Sequence, residues 1–344
     1  MTGHSATVTA TSDDAGDWLA GRRLDWLATA CVCWGTAGLV LDVRSHVEGF
    51  SFAEEGFLTP EHAVIYSGFL AVGFLVAVAV QRARWRGAGW REAVPRGYGL
   101  GIVGLVLFAV AGPGDALWHA TFGAEANVEA LVSPTHLALA TGGTMFCTSP
   151  LRATLARARE DALTGGGAAG WLEQGPLVVT GTLAAVVATV FTMYAHPAFL
   201  LAGNGEVAAG HALSGLLVHA GLIAGFVLVL SSRVTLVPGA VTMLVAVPAA
   251  ALAWIGANPW LVPWYVAAAL VADVGRRYSR RRLVTRRHLP LVGAFVPATL
   301  VGSHFAALAV RGTLSWSVHL WAGAVFMAAV VGTFLGILGT PPER

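Results

Sequence analysis

Apolar residues run along this chain in long blocks, and the polar residues gather in the gaps between them. A hydrocarbon core about 30 Å thick takes roughly 20 residues of helix, because each backbone amide in lipid must find its partner within its own segment. By that measure ten transmembrane helices are expected, at 24–43, 62–81, 97–118, 133–150, 176–196, 209–230, 235–254, 258–274, 290–310 and 316–338. They group into five hairpins, 24–81, 97–150, 176–230, 235–274 and 290–338, inside one polytopic domain at 24–338. A polar tail at 1–23 precedes it and a short tail at 339–344 follows. The expected fold class is an all-α integral membrane protein with internal repeats. The Gly/Ala-rich stretch 163–170 is too short to divide it into independent domains.

Composition agrees, with 56% hydrophobic and 12% charged residues over 344 positions and a mean hydropathy of +0.68. The first residues carry Asp13, Asp14 and Asp17 in place of a basic leader, so the first apolar block is expected to be kept as a span. All 21 basic residues are arginine and 19 acids offset them, which leaves no electrostatic footprint for nucleic acid. The arginines sort by connection. Arg22, Arg23, the Arg82–Arg96 group, Arg152, Arg157, Arg159, Arg233, the Arg276–Arg287 group and Arg344 fall on one side, and only Arg44 and Arg311 on the other. The positive-inside rule then makes both termini cytoplasmic in a cell-membrane protein. Cys31, Cys33 and Cys147 lie in apolar runs and read as small core residues, not as a disulfide framework.

Eight of the eleven histidines fall at outer helix ends, in pairs: His46 with His62, His119 with His136, His196 with His211, and His304 with His319. His219 lies two turns inside its helix as a deeper ligand or a satisfied polar contact. The hairpin at 235–274 offers Trp254, Asn258 and Trp260 instead. The first two hairpins share a longer pattern, Asp-x3-His, an acidic loop, then Thr/Ser-Pro-x-His: Asp42, His46, Thr59, Pro60, His62 and Asp115, His119, Ser133, Pro134, His136. Residues four apart share a helical face, so each aspartate and its histidine can aim at one point. Thr59 and Ser133 read as N-caps followed by proline at the first helical position, which puts His62 and His136 in a first turn. The third and fifth hairpins have Thr192 and Leu300 where the aspartate would stand, as diverged copies or a supporting wall.

Two imidazoles and a carboxylate suit copper, zinc or non-haem iron and leave coordination positions open. Asp115 with His119 and Asp42 with His46 are candidate two-ligand arms for a metal, with His136 and His62 in the first turns of the helices that follow. His196, His211, His219, His304, His319 and Glu125 are candidate additional or supporting ligands. Three functions remain open on the residues alone: a metal-dependent oxidoreductase, a divalent-metal carrier or channel entered past the acidic outer loops, and a bis-histidine haem protein. Partners beyond the lipid bilayer would be other membrane subunits or a reductant.

The string Asp115-Ala-Leu-Trp118-His119 followed by Ser133-Pro134-Thr-His136 resembles the C subunit of the particulate methane and ammonia monooxygenases, which carries Asp-x2-Trp-His and then Thr-Pro-Ser-His. The first hairpin is a looser match. The resemblance covers about 35 residues in each hairpin. It implies copper as the ion, Asp115, His119 and His136 as its ligands, and by repetition Asp42, His46 and His62. It also implies oxygen-dependent hydroxylation of a small or apolar substrate at the outer side of the membrane.

Overall fold

The computed structural model describes residues 19–49, 59–123, 128–163, 170–201, 206–283 and 285–340. Glu125 lies outside the described residues, as do Glu54 and Glu55. Among the described residues the chain is helical without a strand. The helices are α1 (Gly21–Glu48), α2 (Pro60–Trp85), α3 (Gly99–Phe122), α4 (Val128–Val132), α5 (Pro134–Cys147), α6 (Ser149–Leu163) and α7 (Trp171–Val190). They continue as α8 (Pro197–Leu200), α9 (Glu206–Arg233), α10 (Ala240–Ile255), α11 (Val262–Arg282), α12 (Thr285–Val310) and α13 (Val318–Leu338).

Seven of these, α1, α2, α3, α7, α9, α12 and α13, are long and apolar enough to cross a membrane, which makes the chain a multi-pass membrane protein. The other three expected spans all fall on helix, but on helices that miss that standard. With 14 residues, α5 reaches only about 21 Å at 1.5 Å per residue, and α10 has 16 residues. Helix α11 carries Asp273 and Arg276 and closes on Arg280, Arg281 and Arg282. The expected segment 176–196 ends early: α7 stops at Val190, and a 3-10 turn at Met193–Ala195 carries the chain to His196, which caps α8.

Consecutive helices pair where small residues let the backbones meet, the usual packing in lipid, where no hydrophobic force drives helices together. At α1 and α2 the contact is Gly35 on Gly68, at α3 and α5 Gly104 on Gly142, and at α12 and α13 Gly293 on Gly332. A Cβ at Gly142 would come within 2.8 Å of the Gly104 carbonyl oxygen, and one at Gly332 within 1.8 Å of that of Gly293. The most buried of the seven spans is α7, which packs on α1, α6 and α10 and links the halves of the molecule. Arg44 adds a second link, donating from α1 to the carbonyls of Trp254 and Ile255 and stacking over the Trp254 ring.

The arginine-rich ends are tied by buried polar contacts. Asp25, 1% exposed, accepts a 2.8 Å hydrogen bond from the Tyr98 hydroxyl and pairs with Arg157, fastening α1 to the start of α3 and to α6. In the other half, Asp273 accepts the Gly239 amide and pairs with Arg276, which donates to the Leu236 carbonyl.

Candidate metal centre

Asp115 and His119 stand one turn apart near the end of α3, on one face, as their spacing requires. Across from them α5 begins at Pro134, and the Ser133 hydroxyl accepts the His136 amide at 3.3 Å, so the cap holds His136 in the first turn. The Gly104–Gly142 contact then brings the two elements close enough for their side chains to meet. One Asp115 oxygen, Oδ2, lies 3.5 Å from His119 Nε2 and 3.6 Å from His136 Nε2. One ligand atom from each of the three residues falls within 4.8 Å of the others, and among the described residues they are the group so arranged.

The outer partners leave the right atoms facing inward. The His136 Nδ1 contacts the Ser133 hydroxyl at 2.9 Å and the His119 Nδ1 the Gly123 carbonyl at 3.4 Å, so both rings turn Nε2 towards Asp115. Thr135 donates at 2.6 Å to the other Asp115 oxygen, Oδ1. Ligating histidines and carboxylates are commonly fixed in this way by partners behind them. Asp115 is 3% exposed.

The first hairpin repeats the residues with different geometry. Thr59 caps α2 by accepting the His62 amide at 3.1 Å, and His62 Nε2 lies 3.4 Å from Asp42 Oδ1. His46, however, turns its Nδ1 back to the Asp42 carbonyl at 2.7 Å, and that same nitrogen is 3.8 Å from the carboxylate. Asp42 and His62 thus form a pair, with the half-exposed His46 ring lying on its own helix.

Both hairpins open onto one cavity of about 130 Å³. Asp42, His62, Asp115 and His136 line its polar end, with Tyr66 beside them, and Phe69, Phe108 and Phe146 line its apolar end. Cys31 and Cys147 also line it as free thiols, and Cys33 is free as well. The buried carboxylate of Asp115 and the partly buried one of Asp42 make the polar end a place for positive charge. Tyr66 and Thr135 were not read from the sequence as site residues. Tyr66 follows His62 by one turn, and the same-face spacing that linked Asp115 to His119 points to it. Thr135 occupies the variable place of Ser-Pro-x-His, where no spacing argument singles it out.

In the other half the expected pairs do not form. His196 packs edge-on against His219, with ring centroids 4.5 Å apart, and not with His211. His304 meets the Tyr265 hydroxyl at 3.0 Å and not His319. His211 and His319 are exposed. His196, His219 and His304 border a cavity of about 20 Å³, room for one water molecule. His219 is held at both nitrogens, by the Gly215 carbonyl at 2.8 Å and the Thr192 hydroxyl at 3.0 Å. At the remaining hairpin Asn258 ties Trp260 and the Ala198 carbonyl together.

No family model, curated protein or solved structure matches this chain.

Proposed function

We propose that this chain is a membrane-embedded metal-dependent oxidoreductase of monooxygenase type, acting on a small or apolar substrate. Asp115, His119 and His136 hold the ion, and Asp42 with His62 forms a second, two-ligand position across the cavity. The observation that carries this reading is the convergence of two imidazole nitrogens on a single buried carboxylate oxygen at 3.5 and 3.6 Å. For ligands about 2.1 Å from a tetrahedral ion, ligand atoms lie about 3.4 Å apart, so these three residues need little movement to take one. Copper is the ion of choice through the resemblance to the monooxygenase C subunits, and the same donor set accepts non-haem iron or zinc.

When bound, the ion supplies the one-electron chemistry towards dioxygen that no side chain can. The chain's own residues do the rest. Asp115 offsets the ion's charge in a place shielded from water, and Thr135 fixes the carboxylate's rotation through its 2.6 Å hydrogen bond. Phe69, Phe108 and Phe146 give an apolar substrate a place beside the polar end. That apolar end speaks against the carrier reading, since an ion leaving the site would have to cross a ring-lined wall. On the expected topology of ten spans with cytoplasmic termini, the site opens at the extracytoplasmic side of the cell membrane.

The test is elemental analysis of copper, iron and zinc in the detergent-purified protein, with an absorption spectrum, repeated on Asp115→Ala/His119→Ala. Stoichiometric copper or iron that falls in the variant supports the redox reading. Its absence from the native protein, or its retention in the variant, overturns the ligand assignment.

A further inference from the structure

A cavity of about 320 Å³ opens at the arginine-rich end of the C-terminal half, between the close of α9, the close of α11 and the start of α12. Its lining is polar: Ser231, Arg233, Thr235, Arg276, Arg280 and His288. Arg276 is buried, its side chain 3% exposed, and His288 is buried beside it. One of its terminal nitrogens donates to the Leu236 carbonyl at 3.1 Å and reaches the Asp273 carboxylate at 3.4 Å, while its Nε has no hydrogen-bond partner. The Ser231 hydroxyl, also lining the cavity, is buried without a partner too. Buried donors are nearly always satisfied, and both of these belong to residues that line this one cavity.

The charge balance points the same way. Asp273 is the carboxylate at this place, and it divides itself between Arg276 and the Gly239 amide. Arg233 and Arg280 line the cavity without an ion pair among the described residues. Guanidinium groups and a hydroxyl facing one pocket are the donor set for a phosphate group, whose oxygens only accept. Val229 and Leu291, just inward of the pocket on α9 and α12, are about half exposed, at 52% and 47%, as lipid-facing residues would be. The pocket therefore stands where a membrane meets water.

We infer that this pocket is a binding site for a phosphate-bearing anion, held by Arg276 at its base and by Arg233 and Arg280 at its mouth. An anionic phospholipid headgroup and free phosphate offer the same chemistry, and the experiment separates them.

The full chain, delipidated in detergent, is titrated with short-chain phosphatidylglycerol, with short-chain phosphatidylcholine, and with inorganic phosphate at constant ionic strength. Binding is read by native mass spectrometry and by the thermal unfolding midpoint. The expected result is binding of phosphatidylglycerol or phosphate in preference to phosphatidylcholine. Response to the lipid alone identifies a headgroup site, and response to inorganic phosphate a free-anion site. Arg233→Gln/Arg280→Gln, at two exposed positions, should weaken the binding about 25-fold, taking about fivefold for each arginine near a membrane surface. Arg276→Gln should abolish it, and the exposed pair keeps the test valid should that variant not fold. No binding of either anion, equal binding of phosphatidylcholine, or undiminished binding in the exposed-pair variant overturns the inference.

Discussion

Replacing Asp115 by asparagine keeps the shape of the side chain but removes its charge and leaves one oxygen to serve either Thr135 or the two imidazoles. Two consequences follow from the geometry. Asp115 Oδ2 is the atom that faces both imidazoles, at 3.5 and 3.6 Å, so the amide would offer an ion either a neutral oxygen, at the cost of the Thr135 bond, or an NH2 group that cannot ligate. The carboxylate is also buried, at 3% exposure, so no water replaces its charge. Loss of a partner behind a ligand typically costs 10- to 100-fold in metal affinity, and loss of the ligand's own charge must exceed the top of that range, about 100-fold or more. Thr135→Val supplies the internal scale. It removes the 2.6 Å hydrogen bond behind the carboxylate while leaving all three ligands, and should weaken binding by about 10- to 100-fold. The assay is competition against a chromogenic chelator in detergent, for copper and zinc in turn, with thermal unfolding of the metal-free proteins to confirm that both variants fold. Equal affinity of native protein and Asp115→Asn, or a larger loss in Thr135→Val than in Asp115→Asn, would refute the assignment of Asp115 as the charged ligand.

The two hairpins predict unequal histidines: His62→Ala should reduce any second ion seen by elemental analysis, while His46→Ala, whose ring lies on its own backbone, should leave metal content unchanged. Gly142→Ala and Gly143→Ala should part company in thermal unfolding and metal content. At Gly142 a Cβ meets the Gly104 carbonyl at 2.8 Å and must push α3 from α5, costing about 1–3 kcal/mol and the registry of Asp115 with His136, whereas at Gly143 it meets Phe108 at an ordinary 3.8 Å and only narrows the cavity. Tyr98→Phe should destabilise the protein by about 1–3 kcal/mol in denaturant unfolding, because it strips a 2.8 Å donor from the buried Asp25; an unchanged midpoint would show that Arg157 alone satisfies that carboxylate.

What the sequence made legible here was what depends on local spacing. The long apolar blocks located every helix longer than 15 residues, because in lipid the segment that satisfies its own backbone is also the segment that is apolar. The Thr/Ser-Pro caps placed His62 and His136 in first turns, since a cap acts within three residues. The Asp115 and His119 face followed from helical pitch. What escaped was set by rotamer and by packing between distant helices. Nothing local distinguishes His46, which folds back on the Asp42 carbonyl, from His119, which does not. The pairing of His196 with His211 assumed that a loop joins the ends of two regular helices, and the chain instead leaves α7 at Val190 and turns through a 3-10 step. That step swings His196 inward to meet His219, which periodicity along α9 could not foresee.

The contrast between the two halves follows from two differences, the residue at the repeated aspartate position and the commitment of His196 to the cap of α8. In the N-terminal half a carboxylate faces two imidazoles and can offset the charge of an ion. In the C-terminal half Thr192 stands where that carboxylate would be, and its hydroxyl already meets His219 Nε2 at 3.0 Å. His196 is committed as well: its Nδ1 accepts the Ala198 amide at 3.1 Å, so the neutral ring keeps its proton on Nε2 and has no lone pair for an ion. A dication among these residues would be a buried charge without a counter-ion, which burial penalises heavily. Three histidines packed at the same end of a repeat therefore do not make a second copy of the site, and the roughly 20 Å³ between them suits a water molecule. Restoring the carboxylate alone, as Thr192→Asp, should not create metal binding there, because the His196 lone pair would still be spent on the cap of α8.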